Sequence, residues 1–134
     1  MNNNRTTPAK ITSLAPGQIF VFGSNIHGCH GGGAASFAVD YFGAVWGVGE
    51  GLQGQSYALP TMEGMESTRQ AVERFTAFAK AHPELTFLVT PVGCGIAGYT
   101  PAEIAPMFAG AVGLENVWLP EEFWEVLGAF RPNG

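Results

Sequence analysis

The chain has 134 residues, of which 46% are hydrophobic, and its formal net charge at pH 7 is −5. This length and apolar content predict one folded domain with a sizeable core, and they argue against a largely disordered chain. The chain contains only six Lys and Arg residues, which form no basic stripe, so we expect no nucleic-acid partner.

The N-terminus and the cysteines indicate a cytoplasmic protein. The segment from Met1 to Arg5 is polar and lacks the apolar core of a signal peptide. No apolar run reaches the roughly 18 residues that a membrane span requires, so we expect no membrane partner. Cys29 and Cys94 are too few for a disulfide scaffold. We expect residues 1 to about 8 to be a flexible polar tail, and the sequence leaves the oligomeric state open.

Strand and helix patterns alternate from the start of the chain. The apolar run at 18–22 predicts a buried strand, and apolar residues at helical spacing predict a helix over Gly33–Phe42. The glycine-rich stretch Gly43–Gly54 is expected to be irregular. A short strand is predicted at 56–59, directly before Pro60.

Within that stretch, Gly49–Gly54 matches the GxGxxG pattern of dinucleotide-binding folds. That fingerprint requires a strand before it and a helix after it, whereas a strand follows here. We therefore interpret Gly43–Gly54 as a mobile glycine loop over the site or beside it.

The second half of the chain continues the alternation. A capping box at Ser67–Gln70 predicts the start of a helix that ends near His82, and a strand is predicted at 85–89. A second capping box at Thr100–Glu103 predicts another helix, which Pro106 should bend or shorten. A strand at 116–119 and a terminal helix from Glu121 complete the prediction. The order β-α-β-α-β-α-β-α predicts an α/β fold with a parallel or mixed sheet covered by helices.

Two glycine clusters are predicted to bind an anion. Gly31–Gly33 and Gly93–Gly98 each follow a predicted strand and precede a predicted helix, an order that directs backbone N–H groups and a positive helix end at one point. Because ligands of such sheets bind at the carboxyl ends of the strands, we expect the two loops to face each other across one phosphate-bearing ligand. The glycines have no Lys or Arg nearby, which favours a diphosphate over a triphosphate. A merely flexible turn is the alternative for the first cluster.

Several side chains near these loops are candidates for chemistry. His27 or His30 would serve as a general acid or base, since histidine titrates near neutrality. Cys94 would be a nucleophile if a helix N-terminus lowered its pKa, although no base partner is evident. The cluster His27, Cys29 and His30 lacks a standard zinc spacing, so we predict neither metal nor cofactor. Glu50 has a weaker claim to catalysis or ribose binding.

Three segments in the right order and spacing resemble the macro domain family. Asn25 followed by Gly31–Ala35 is similar to the first ligand loop of that family. Ser56–Pro60 resembles its middle strand, and Val92–Tyr99 resembles its second loop. The resemblance runs from about Gln18 to Phe108.

The family implies a three-layer α/β/α domain with a mixed, mostly parallel central sheet that binds ADP-ribose. Asn25 would lie near the distal ribose and position the ribose or a water. The site residues predicted from the residues and the resemblance together are Asn25, His27 and His30 for catalysis, and Gly23, Ser24, Gly31, Gly32, Gly33, Ala34, Gly93, Cys94, Gly95, Ile96, Ala97, Gly98 and Tyr99 for ligand binding.

The chain departs from the family pattern at four positions, which suggests a divergent bacterial or phage member. Phe22 stands where the family has its first asparagine, Ala35 falls near the acid of some hydrolases, and Ala97 replaces the ribose-facing aromatic. No acid precedes Asp40, where the family has its adenine-binding aspartate.

These departures leave three functions open. The first is an ADP-ribosyl hydrolase or ADP-ribose phosphoesterase. The second is a non-catalytic module that senses or sequesters a phosphorylated nucleotide. The third is a partner-binding domain whose interface is an aromatic C-terminal helix containing Phe123, Trp124 and Phe130.

Overall fold

A computed structural model describes residues 5–129. The elements of this part of the chain are β1 (Gln18–Ser24), α1 (Gly33–Tyr41), β2 (Gly51–Gln53), β3 (Ser56–Pro60), α2 (Met65–Ala81), β4 (Thr86–Val89), α3 (Pro101–Ile104), a 3₁₀ segment (Ala105–Ala111), β5 (Val117–Trp118) and α4 (Glu121–Ala129). The α/β fold predicted from the sequence is confirmed. β2 was not predicted, and it lies inside the stretch expected to be irregular.

The five strands form one mixed sheet in the order β2-β3-β1-β4-β5. β1 is central and parallel to both β3 and β4, so Val21 is paired with Tyr57 on one side and Val89 on the other. β4 is parallel to β5, and only the β2–β3 pair is antiparallel. The prediction of a mixed, mostly parallel sheet is confirmed.

Alternate side chains of β1 enter two separate hydrophobic clusters. Ile19 and Val21 pack in a large cluster with α2, α3, the 3₁₀ segment and α4. Phe20 and Phe22 pack in a smaller cluster with α1. Because successive strand residues point to opposite faces, helices cover both faces of the sheet.

The helix starts agree only in part with the sequence prediction. The capping box predicted at Ser67–Gln70 is wrong, because α2 already begins at Met65 and its N-cap, Gly64, has no side-chain hydrogen bond. The capping box at Thr100 is confirmed, with the Thr100 N–H donating to Glu103 Oε1 (2.8 Å) and the Glu103 N–H to Thr100 Oγ1 (3.3 Å). Pro106 shortens α3 as predicted, since the α-helical geometry ends at Ile104.

The segment before β1 is held against the edge of the sheet. Thr6 forms a parallel bridge with Leu119, the Leu119 N–H donates to the Arg5 carbonyl (3.0 Å), and the Thr7 N–H donates to the Leu119 carbonyl (2.9 Å). The Arg5 guanidinium lies 5.1 Å from the Trp124 ring centre. The expected flexible tail is therefore wrong for residues 5–7, and residues 1–4 lie outside the described part.

Among the helices described in residues 5–129, none has the length and apolar content needed to cross a bilayer.

Candidate functional site

The topology produces a switch point between β1 and β4. The chain leaves β1 toward α1 on one face of the sheet, and it leaves β4 toward α3 and the 3₁₀ segment on the other face. Since β1 and β4 are neighbours, their outgoing loops diverge and leave a crevice between them. Ligands of open α/β sheets bind in such crevices.

A cavity of about 680 Å³ opens at this switch point. Gly33 and Ala34 at the start of α1 line it from one side, and Thr90 and Pro91 after β4 line it from the other. Its volume lies in the range of small-molecule sites, roughly 300–1,000 Å³. Residues 6–12, Phe20, Phe37 and residues 120–122 complete the lining.

The cavity combines an apolar wall with scattered polar groups. Phe20, Phe37 and Ile11 give it an apolar surface, while Lys10 lies on its wall. Thr7 also lines the cavity at 6% exposure, and its buried Oγ1 has no hydrogen-bond partner within residues 5–129. Such a lining suits a ligand with a planar apolar part and polar atoms at its edges.

The start of α1 is open to an anion. Its N-cap, Gly32, lacks a side chain, and no side-chain hydrogen bond caps the helix. Apart from the adjoining backbone, no heavy atom lies within 4 Å of where a Cβ would stand on Gly32 or Gly33. Gly33 has φ +58°, a conformation that favours glycine. The first-turn N–H groups and the positive helix end therefore face open space beside the cavity.

The second glycine loop differs from the first because the helix after it has a side-chain cap. The capping box at Thr100 already satisfies first-turn groups of α3, and it places the Glu103 carboxylate at that helix end. α3 is also only four residues long. The expectation that both loops direct a free helix end at the ligand is therefore wrong for the second loop. Of the two loops, the first is the one that leads into a helix start without a side-chain cap.

Backbone bonds close the second loop on itself. The Tyr99 N–H donates to the Gly93 carbonyl (2.9 Å), and the Gly98 N–H to the Gly95 carbonyl (3.0 Å). Gly93 also adjoins β1, because a Cβ on Gly23 would lie 3.5 Å from the Gly93 nitrogen. At the tip of the loop, Ile96 is 92% exposed. The bases of the two ligand loops thus adjoin at Gly23 and Gly93.

The surroundings of Cys94 shift the pKa of its thiol in the opposite direction from the one that a nucleophile requires. Burial raises the pKa of its thiol, and the negative charges of Glu122 and Glu103 raise it further. The nucleophile hypothesis required a lowered pKa, so it is wrong in its premise. The side chain instead packs against the large hydrophobic cluster.

Asn25 uses its side chain to fold its own loop. Its Oδ1 accepts hydrogen bonds from the His27 and Cys29 N–H groups, both at 3.1 Å, and its Nδ2 donates to the Cys29 carbonyl at 3.1 Å. The neighbouring Ser24 is buried at 4% exposure, with its hydroxyl bonded to the Asn25 carbonyl. These contacts give Asn25 a loop-building role in the structure described here.

His30 is enclosed by protein rather than presented to a ligand. It is 1% exposed, and its ring lies between Phe22 and Trp46 at centroid distances of 5.2 and 6.0 Å. Because a carbonyl only accepts, Nε2 donates to the Val48 carbonyl (3.1 Å), while Nδ1 is buried with no partner in the described chain. His27, by contrast, lies exposed on the surface of the loop.

Residues 43–50 form a fixed segment. Gln53 accepts from the Val45 N–H (2.7 Å) and donates to the Val48 carbonyl (2.9 Å). Glu50 forms a bidentate ion pair with Arg74 of α2 at 2.7 and 2.9 Å, which raises the pKa of Arg74. These contacts indicate a fixed segment where we expected a mobile loop, and they assign Glu50 to an ion pair rather than to catalysis.

Sequence reasoning missed two parts of this region. Residues 6–12 line the cavity, although the sequence predicts a flexible tail up to about residue 8 and no pattern in residues 6–12 indicates a place at the site. Glu63 follows β3, its Oε2 accepts from the Ile26 N–H (3.2 Å), and its Oε1 is buried with no partner among residues 5–129. An acid in the loop that follows a predicted strand was a usable signal for a position at this edge of the sheet.

The chain matches no protein-family model, no curated protein and no solved structure. The interpretation of its function therefore depends on its own residues and their geometry.

Proposed function

We propose that this chain binds ADP-ribose or a related NAD-derived nucleotide sugar, and that its fold is a three-layer α/β/α arrangement of the macro domain type. The observation that carries the proposal is the cavity of about 680 Å³ at the β1–β4 switch point, which the uncapped start of α1 borders. The diphosphate binds against Gly31–Gly33, and the base enters the cavity.

The lining of the cavity supports a nucleotide over a simple phosphate. Phe37 and Ile11, which are both partly exposed, offer an apolar surface to the plane of a base. Lys10 lies on the same wall and is a hydrogen-bond donor, which complements the acceptor nitrogens of a purine. Base recognition by Lys10 would replace the aspartate that the family uses.

The contacts of the predicted catalytic residues favour binding over hydrolysis. His30 is 1% exposed and bonded to Val48, so it meets no bound ligand in this conformation. Asn25 already makes three hydrogen bonds within its own loop. His27 is exposed, so it is the predicted acid–base residue that the protein itself does not enclose.

The aromatic C-terminal helix gives less support to a partner-binding function. Phe123 is fully buried in the large cluster, and Trp124 packs against Arg5. Phe130 lies outside the described residues. Binding of a small ligand at the switch point is therefore the function that we favour.

Calorimetric titration with ADP-ribose, AMP and ribose 5-phosphate tests the proposal. We expect micromolar binding of ADP-ribose, about −8 kcal/mol, and weaker binding of the two fragments. Gly32→Glu should abolish binding because it places a carboxylate at the anion site. Gly32→Gln has nearly the same bulk without the charge, and it should bind.

Gly32 is a suitable position because its backbone accepts any residue. Its φ of −159° is extended, and no atom lies within 4 Å of its Cβ position, so neither variant should disturb the fold. Absence of heat with all three ligands on the wild-type protein would contradict the proposal. Unchanged affinity in Gly32→Glu would contradict the placement of the diphosphate.

A further inference from the structure

Trp46 lies beside the glycine run with its indole 57% exposed. Its Cη2 atom is 4.0 Å from the position that a Cβ on Gly31 would occupy. Covering a large apolar side chain of this exposure with a flat partner removes apolar surface from water and is therefore favourable. Its position next to the proposed diphosphate site makes a ligand group a natural partner.

The indole lies on a turn that backbone hydrogen bonds hold. It sits in the turn from Val45 to Val48, which the Val48 N–H closes by donating to the Val45 carbonyl (3.2 Å). The Gly47 N–H donates to the Gly28 carbonyl (2.9 Å), and the buried ring of His30 lies beside the indole at 6.0 Å. A surface held in this way loses little conformational entropy when a ligand binds.

The glycine run joins the cavity to Trp46. Gly33 and Ala34 line the cavity, whereas Gly31, two residues earlier, adjoins the indole. A diphosphate on this run therefore leaves one end of the ligand in the cavity and the other end near Trp46. Val45 and Val48, 50% and 39% exposed, flank the indole in the turn and extend its apolar surface.

We propose that Trp46 is a stacking platform for a planar ring on the ribose beyond the diphosphate. The preferred ligand is then a dinucleotide with a second base, of the NAD type, rather than free ADP-ribose. This inference rests on the proposed function, because it takes the diphosphate position from it. The nicotinamide ring of NAD is cationic, so attraction to the face of the indole adds to the stacking.

Titration of NAD and ADP-ribose side by side tests the platform. We expect the wild-type protein to bind NAD about tenfold more tightly than ADP-ribose, in line with base–aromatic stacking. Trp46→Ala should erase this preference and leave the ADP-ribose affinity within about twofold, since ADP-ribose has no second base to stack on the indole. Trp46→Phe should keep most of the preference.

Leu52→Ala is the matched control. Leu52 lies on β2, outside the glycine run, and is 44% exposed, compared with 57% for Trp46. The variant therefore loses an apolar side chain of similar accessibility. This variant should bind both ligands as the wild-type protein does. Quenching of tryptophan fluorescence by NAD should also be weaker in Trp46→Phe than in the wild-type protein.

The outcomes separate this inference from the proposed function. The platform would be overturned if the wild-type protein bound ADP-ribose with no preference for NAD, or if Trp46→Ala lost affinity for both ligands equally. Either result would leave the proposed function standing. Failure of both ligands to bind the wild-type protein would overturn both proposals.

Discussion

The two glycine loops look alike in sequence but are built differently. The loop from Asn25 to Gly33 is held by side chains, those of Asn25 and His30, and it ends at a helix start with no side-chain cap. The loop from Gly93 to Tyr99 is closed by its own backbone, and the helix after it is capped by Thr100 and Glu103. Of these two helix starts, the first is therefore the one whose backbone N–H groups have no side-chain acceptor, and this is why we propose the anion site there.

The largest expected effect tests this difference directly. Gly32→Glu should weaken ADP-ribose binding a hundredfold or more, about 2.7 kcal/mol, whereas Gly95→Glu should weaken it less than about fivefold. Both positions have open space around the Cβ, so neither carboxylate should disturb the fold. Calorimetry on the two variants measures the ratio, and equal losses would show that the second loop binds the diphosphate as well.

The second expected effect concerns the support behind the first loop. His30→Ala should lower the free energy of unfolding by about 2–4 kcal/mol, because it removes a fully buried ring and the bond to the Val48 carbonyl. His27→Ala, at an exposed position, should change it by less than about 0.5 kcal/mol. Urea denaturation measures the free energy of unfolding of both variants. Similar values would show that His30 does not stabilise the first loop.

The capping box gives a smaller expected effect. Thr100→Ala should cost about 1 kcal/mol of stability, because the Glu103 N–H loses its acceptor. ADP-ribose affinity should be retained, since the proposed anion site lies at the start of α1 and not at this helix end. Thr100→Ser restores the hydroxyl and should restore the stability. A marked gain of affinity in Thr100→Ala would mean that the cap competes with a ligand.

The smallest expected effect is a shift in a pH profile. Burial and the charges of Glu122 and Glu103 raise the pKa of Cys94, so the thiolate forms only at higher pH than for a free thiol. In a Cys29→Ala protein, the alkylation rate of Cys94 should therefore reach its midpoint at a higher pH in the folded protein than in the unfolded one. The same protein unfolded in urea is the control. A folded-state profile shifted below the unfolded one would restore the nucleophile hypothesis.

The strands and helices were largely predictable because their signals are local. The apolar runs at β1 and β4 and the capping box at Thr100 each depend on a few adjacent residues. β2 was missed because Gly51 and Gln53 carry little strand propensity, and its pairing with β3 supplies the hydrogen bonds. The start of α2 was misplaced because Gly64 caps it through its backbone conformation, with φ +98°, and not through a side chain.

The sequence predicts only those parts of the candidate site whose positions depend on the order of the strands in the sheet. The proximity of Gly23 and Gly93 at the carboxyl ends of β1 and β4 follows from the parallel topology. The enclosure of His30 and the hydrogen bonds of Asn25 depend on the fixed segment 43–50 and on loop geometry, which no spacing pattern encodes. The cavity itself depends on residues 6–12, whose contacts with the distant segment around Leu119 have no local signature.

The cavity lies between the two ends of the described chain. Residues 6–12 form one side of it, and residues 120–122, at the start of α4, form another. A bound ligand would therefore bridge these terminal segments, and its binding free energy would oppose their fraying. Hydrogen exchange of the amides in residues 6–12 should then slow when the ligand is present, even though these residues lie far in sequence from both glycine loops.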